Sequence, residues 1–262
     1  MSAFLQKLMM LKEAKKKFKN WIIFPFAYYN LIPTKLIIFK TRTNKIITIR
    51  KNSTDFMALS NVWLFEEYKK EGFAIKQNDV IIDIGSHIGL FTLYASQFCT
   101  NGRIYSYEPI KENFELLSIN LEKNNLKHVK KFNYAVSKSN TFVEIFINKD
   151  EAGHSMFSKT SKGIKINSVT LQKIFDDNKI QNCNFLKLDC EGAEYEIIDT
   201  LPNEYFNKIE KIVMEYHLED SNPEFIIKLK EKLISQMFEI EIFPTMDGMG
   251  MLYAKKSLNK FG

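Results

Sequence analysis

The sequence predicts an α/β fold: an open sheet with helices on both faces, preceded by a small N-terminal helix and β-hairpin annex. Three observations carry that expectation. From Val80 onward, short β-rich runs alternate with stretches of helical period, the rhythm of a βαβαβ series. The 262 residues are 45% hydrophobic and 13% aromatic, with 22 Phe, enough apolar surface to offset the entropy of ordering one large domain. No internal repeat or low-complexity tract interrupts the alternation.

The annex is read as residues 1–59 and the main domain as residues 60–262. Residues 11–33, "LKEAKKKFKNWIIFPFAYYNLIP", place lysines before an apolar stretch and so imitate an export signal. Pro25 and Asn30 interrupt that stretch, no small-residue cleavage site follows, and it falls short of the roughly 20 residues a spanning helix needs. It is expected neither to span nor to be cleaved. Two readings stay open: a helix packed on the domain, or a segment lying in a membrane interface, where Trp21, Phe24, Phe26, Tyr28, Tyr29 and the lysines all gain. Next, "KLIIFKTRTNKIITIR" alternates around Thr43-Asn44 as a β-hairpin, followed by a helix near Val62 to Lys70.

In the main domain, strands are expected at 80–84, 103–107, 130–136, 141–147, 164–169, 184–189, 210–216, 237–243 and 250–255. Helices are expected at 89–98, 111–123, 170–178, 192–200 and 223–235. The segment "NKDEAGHSMFSKTSKG" reads as a loop.

Composition narrows the function classes. Cys99, Cys183 and Cys190 form no CxxC pair and no metal-ligand spacing, which argues against a disulfide framework or a zinc site and fits a reducing cytoplasm. The net charge is +6, but the first twenty residues alone hold six Lys against one Glu, so the excess sits in a tail instead of along a groove. A nucleic-acid partner is therefore not expected.

The chemistry starts at "VIIDIGSHIGLF", residues 80–91. In an open parallel sheet, ligands bind beyond the carboxyl ends of the strands where strand order reverses. Gly85 and Gly89 let the backbone turn and approach a ligand, and the helix that starts there offers N–H groups to an anion. A dinucleotide loop would read GxGxxG. Here Asp83 ends the strand and the glycines are four apart, with Ser86 and His87 between them. That pattern suits S-adenosylmethionine, whose ammonium wants an acid and whose carboxylate wants backbone donors. His87 is wanted there as a backbone donor, with its side chain toward solvent.

The second strand, "RIYSYEP", ends in Glu108, 25 residues after Asp83, where a carboxylate can accept from both ribose hydroxyls. Its replacement is expected to weaken cofactor binding with little effect on folding. At "NYAVSKSN", Ala135 and Val136 are expected to flank the adenine and Ser137 to bond its edge.

Together, "VIIDIGSHIGLFTLYA", "YSYEP", "NYAVS" and "FLKLDCEGAEYEII" resemble the FkbM family of S-adenosylmethionine-dependent methyltransferases over roughly residues 60–255. Its most specific element is "KLDCEGAE". The resemblance implies a Rossmann-like seven-stranded methyltransferase sheet and O-methylation of a hydroxyl on a sugar, glycan or polyketide-like acceptor. His154, in "EAGHSMF", falls in what resembles the family's variable acceptor-side loop.

The residues themselves agree. Asp189 ends a strand beside the first and is the first candidate for general base or acceptor orienter, besides lining the cofactor site. Glu191 either shares that work or caps the next helix. His217, after the fifth strand in "KIVMEYH", reaches the crevice from the opposite side in a supporting or acceptor-orienting role. Asp189, Glu191 and His217 are also residue types that bind magnesium, but no second acidic pair follows the fifth strand except "LED" at 218–220, and no metal is expected. The "LDCEGAE" run also lacks the [DN]PP[YF] string that nucleobase amine methylation needs.

Two other classes stay in view: an NAD-type oxidoreductase, against which the missing GxGxxG counts, and a non-enzymatic membrane or RNA adaptor using the basic tail, which leaves the strand-end acids unexplained. The expected partner is a small-molecule or glycan acceptor with a free hydroxyl. The expected location is cytoplasmic, with the tail a candidate for peripheral contact at the inner face of the membrane.

Overall fold

The computed structural model describes residues 3–147, 154–155, 163–217, 222–246 and 248–257. The annex opens with α1 (Ala3–Lys17) and α2 (Ile23–Tyr28), then the hairpin β1 (Leu36–Lys40) and β2 (Ile46–Arg50). The hairpin register pairs Lys40 with Ile46, and Asn44 in the turn takes a φ of 64°, a left-handed conformation that Asn tolerates better than most residues.

The helix expected near 62–70 lies earlier. It forms as α3 (Asp55–Leu59) continued by a π-helical turn over Ser60–Leu64, and the chain leaves the helix at Glu66, whose φ is 50°. Val62, Trp63 and Leu64 are buried, so the wider turn brings three successive side chains into the core.

The main sheet has seven strands in the order β12-β13-β11-β10-β3-β4-β5. They are β3 (Val80–Ile84), β4 (Arg103–Tyr107), β5 (Val129–Phe132), β10 (Phe185–Leu188), β11 (Lys211–Tyr216), β12 (Phe238–Met246) and β13 (Met249–Lys256). β3, β4, β5, β10 and β11 run parallel, whereas β13 is antiparallel to both of its neighbours. The connecting helices are α4 (Leu90–Ala95), α5 (Lys111–Lys123), α6 (Leu171–Asp177), α7 (Glu194–Thr200), α8 (Asn203–Phe206) and α9 (Pro223–Ser235).

Side chains alternate across the sheet as the pleat requires. Ile81, Ile104, Phe185 and Val213 join one apolar cluster with α4, α5 and the annex residues Phe18, Phe24, Phe39, Ile47 and Ile49. Ile82, Tyr105, Leu186 and Met214 join a second cluster with residues of α6, α7, α8 and α9. Helices therefore cover both faces. Full burial of a Phe side chain contributes about 1.5–3 kcal/mol, so Phe18, Phe24 and Phe39, each at most 1% exposed, tie the annex to the first face by several kcal/mol.

Two of the expected strands lie outside the main sheet. β7 (Phe142–Ile147) and β9 (Gly163–Val169) pair with β8 (His154–Ser155) and β6 (Ala135–Val136) in a four-stranded sheet of order β6-β9-β7-β8. The run expected as one strand over 130–136 is thereby divided between β5 and β6. Asn133 causes the break: its side-chain amide donates to the carbonyls of Glu108 (2.8 Å) and Pro109 (2.9 Å), which pulls the chain out of the ladder.

Candidate active site

Strand order reverses between β3 and β10, since the chain leaves β3 toward β4 and returns to β10 on the other side. The crevice at that point is built on glycine. Gly85 has a φ of 72°, and a Cβ there would lie 1.8 Å from the Asp189 carbonyl oxygen, so the loop after β3 seats directly on the end of β10. Gly89 has a φ of 86°, and its Cβ would meet Leu117 of α5 at 2.5 Å. Both glycines serve close backbone and helix packing as well as the turn.

The loop's amides have protein partners, contrary to the expectation of free donors. Gly85 and Ser86 N–H donate to the Tyr107 carbonyl at 3.0 Å each, Gly89 N–H to the Ser86 carbonyl at 2.8 Å, and His87 N–H to Glu108 Oε2 at 2.8 Å. His87 does serve as a backbone donor, but its acceptor is Glu108. Its side chain is not left to solvent: Nε2 lies 3.3 Å from Asp55 and 3.4 Å from the Arg50 guanidinium, and burial lowers its pKa to about 4.

Glu108 is itself buried, 4% exposed, and its Oε1 accepts from Ile110 N–H and from Asn113 Nδ2. Burial raises its pKa to about 7 against those bonds. The expectation that Glu108 stands outside the folding core is therefore corrected: it splints the β3 loop to the start of α5. Ala135 and Val136 are also buried, in the apolar join between the two sheets, and Ser137 N–H donates to the Val169 carbonyl.

A buried polar row crosses the sheet one residue before the crevice. Register aligns Lys187 with Asp83 and Asp83 with Ser106. Thr92 Oγ1 donates to Asp83 Oδ2 at 2.6 Å, and Lys187 Nζ donates to the Gly85 carbonyl at 2.6 Å while lying 3.3 Å from Asp83 and 3.4 Å from Asp189. Burial alone would lower the Lys187 pKa, but Asp189 and Asp83 outweigh it and raise the pKa. Conversely, burial opposes ionisation of Asp189, yet Lys187 foremost and His217 hold its pKa below the usual value. Asp189 is the fixed anion of the site.

The opposite side of the crevice is crowded with acids. Glu194, fully buried at the start of α7, accepts from Cys190 N–H (2.6 Å), Gly192 N–H (2.8 Å) and His217 Nδ1 (3.2 Å). It clamps the turn in which Glu191 holds a φ of 55°, and it fixes the imidazole. His217 Nε2 is then 3.7 Å from Glu191. Burial would lower the His217 pKa, but Glu194, Glu191 and Asp189 raise it to about 10. Glu191 and Glu215 are each raised to about 7 and Glu67 to about 8, in every case foremost by burial and then by neighbouring carboxylates. Tyr68 completes the wall by donating its hydroxyl to Asp189 Oδ2 at 3.3 Å.

Asp189, Glu191 and His217 thus converge, as expected from their strand ends. Sequence reasoning missed Glu194, Lys187, Glu215, Glu67 and Tyr68. Lys187 precedes Asp189, and Glu215 precedes His217, by two residues on the same strand face, a period-two signal present in the sequence. Glu67 and Tyr68 carry no such signal. The metal question shifts too: ligand atoms of Asp189, Glu215 and His217 lie within 4.8 Å of one another, so Glu215 stands where Glu191 was considered. The "LED" segment lies outside the described residues, as does the side chain of His154, whose backbone pairs with Ile147.

The site chemistry fits the cofactor expected from the loop. Asp83 Oδ1 is buried with the Lys187 ammonium 3.3 Å away, and carboxylates outnumber Lys187 and His217 around the crevice, a balance that favours a sulfonium and an ammonium. Among the described residues, no helix is long and apolar enough to cross a membrane.

Comparison with known proteins agrees. The family model described as Methyltransferase FkbM domain matches residues 83–238, more than half of the chain. Methyltransferase 1 of Beauveria bassiana is 24% identical over 204 residues, covering 68% of this chain and 81% of that protein. Hexuronic acid methyltransferase AglP of Haloferax volcanii is 21% identical over 167 residues, covering 61% and 68%. The crystal structure of methyltransferase FkbM from Methylobacillus flagellatus superposes with a TM-score of 0.50 at 15% identity, covering 76% of this chain and 53% of that one, and so shares the fold. The chain belongs to the FkbM methyltransferase family and uses S-adenosylmethionine as its methyl donor.

Proposed function

We propose that this enzyme methylates a hydroxyl group of a sugar, glycan or related small-molecule acceptor held against Asp189. The observation that carries the reading is the sorting of neighbouring carboxylates: Lys187 keeps Asp189 ionised while Glu67, Glu191 and Glu215 are raised to the region of neutral pH. Groups whose environments push their pKa values apart are the signature of divided acid and base roles. When bound, S-adenosylmethionine supplies an electrophilic methyl carried on a sulfonium.

The chain's own residues do the rest. Asp83 would receive the cofactor's ammonium, Glu108 the ribose hydroxyls, and Ala135 and Val136 would border the adenine. Asp189 accepts a hydrogen bond from the acceptor hydroxyl, aligns its oxygen with the methyl, and takes its proton late in transfer, when the oxygen has become acidic. Glu191 and Glu215, with pKa values near 7, pass that proton toward solvent. His217, an imidazolium below about pH 10, holds Asp189, Glu191 and Glu215 together as their shared cation. The proposed reaction uses no resident ion, although Asp189, Glu215 and His217 offer ligand atoms within 4.8 Å of one another.

The acidic wall also bears on the acceptor. Although AglP acts on a hexuronic acid, an acceptor carboxylate here would face Glu67, Glu191 and Glu215, so a neutral or amino sugar fits better. A glycan carried on a lipid would bring the enzyme to a bilayer, and the annex is the element that would meet it. The test is transfer of labelled methyl to a panel of neutral, amino and uronate nucleotide sugars, lipid-linked glycans and RNA, with and without EDTA. Transfer to sugar hydroxyls that EDTA leaves unchanged is expected. Transfer only to RNA would overturn the acceptor class, and loss with EDTA the metal-free reading.

A further inference from the structure

We propose that the outward face of α1 and α2 docks on an anionic lipid bilayer, a surface property that stands or falls separately from the chemistry at Asp189. The inward stripe of α1 is already used: Met10, Leu11 and Ala14, with Phe18 just beyond the helix, pack into the first apolar cluster. The opposite stripe is Leu5, Leu8, Met9, Lys12 and Lys16, which follows the i, i+3, i+4, i+7 spacing of one helix face and is exposed throughout. Its first half is apolar and its second half basic. Around α2, Ile22, Phe26, Tyr29 and Leu31 are each at least half exposed. Eight of the twenty large apolar side chains exposed among the described residues lie between residues 5 and 31. The inward stripe packs the annex on the domain and leaves these outward side chains at the surface as an exposed apolar patch.

Charge selects the partner. Residues 1–51 hold twelve Lys and Arg against the single acid Glu13, whereas the rest of the chain carries five more acids than bases. The molecule is electrically polarised, with the annex drawn to a negative surface and the remainder repelled by it. Lysines and rings are paired there, Lys15 over Trp21 and Lys7 over Tyr28 and Tyr29, the combination that is favourable at headgroup depth. Between the two helices lies a shallow cleft whose lining includes Met10, Leu11, Phe24, Pro25 and Tyr28, with Lys7 beside them. RNA binding would call for stacking faces along a basic groove. Leu8, Met9, Ile22 and Leu31 offer acyl chains a surface and offer bases none.

The test is sedimentation of the full chain with vesicles of phosphatidylcholine alone and of phosphatidylcholine mixed with phosphatidylglycerol, beside single-stranded RNA. Binding to the mixed vesicles, falling as salt rises, is expected. The pairs Leu8→Ser with Phe26→Ser and Lys12→Gln with Lys16→Gln, all exposed positions, should each lower vesicle affinity by about tenfold or more while leaving the thermal melt unchanged. Equal sedimentation with phosphatidylcholine alone, unchanged affinity in both pairs, or tighter binding to RNA would overturn the proposal.

Discussion

The two halves of the crevice hold their carboxylates in opposite ways. On the glycine-loop side, Asp83 takes a hydroxyl from Thr92, and Glu108 takes two backbone amides and the Asn113 amide, all rigidly placed at strand and helix ends. On the acceptor side, Glu67, Glu191 and Glu215 face one another across a wall whose cations are Lys187 and His217. The first half holds its carboxylates on fixed donors; in the second, burial and neighbouring carboxylates raise Glu67, Glu191 and Glu215 toward neutral pH. Binding needs preorganised geometry, whereas proton transfer needs groups whose charge can change.

The largest effect should come where the halves meet. Asp189→Asn removes the fixed anion, leaves Lys187 with Asp83 alone, and should lower turnover by roughly 10² or more while S-adenosylmethionine affinity stays within a few-fold. Single-turnover methyl transfer with separately measured affinity checks this, and near wild-type turnover would erase the contrast between the halves.

Glu108→Ala tests the glycine-loop side. Loss of charge-assisted hydrogen bonds of about 1.5–3 kcal/mol predicts at least about tenfold weaker cofactor binding by calorimetry. Because Glu108 is buried and leaves His87 and Ile110 amides without an acceptor, stability should fall as well, by about 1–3 kcal/mol. Glu108→Gln keeps one acceptor oxygen and should recover most of the stability but not the affinity.

A smaller effect is expected from Glu194→Gln, which retains oxygen for a backbone amide but removes the negative charge on His217. The imidazole titration followed by nuclear magnetic resonance should move down from about 10, and the pH profile of transfer should shift with it. An unmoved titration would make Glu194 a structural clamp only.

The mildest test is pH itself. Glu67, Glu191 and Glu215 have folded pKa values above the 4.5 of the unfolded chain, so the native state binds more protons and stability should decline as pH rises from about 4.5 to about 8. His217 acts in the same direction: its contribution is complete below about 6.5 and is lost as pH climbs through about 10. The melting temperature should therefore be higher near pH 6 than near pH 9, and Glu215→Gln should flatten the slope.

Legibility followed the same division. The glycine turn and the acids at the strand ends were readable because they are local to the chain: Asp83 lies in β3, Gly85 and Gly89 follow it, and Glu108 comes directly after β4. Even so, the burial of Glu108 and the partial covering of His87 were not readable, since their neighbours are Arg50, Asp55 and Asn113, brought in from the hairpin, α3 and α5. The acceptor wall was readable only where the chain enters and leaves strands, at Asp189, Glu191 and His217. Glu67 and Tyr68 reach it from a segment more than a hundred residues upstream that no local pattern marks.

By itself, the sequence determined the alternating sheet, the glycine turn and the acids at the strand ends, because hydrophobic period and left-handed turns are local properties of the chain. Only the tertiary structure decided which of those acids stay ionised. Protonation depends on burial and on charges within a few ångströms, and here those neighbours, Lys187, Glu215, His217 and Glu67, come from separate strands and a loop that meet only once the sheet is closed by its helices.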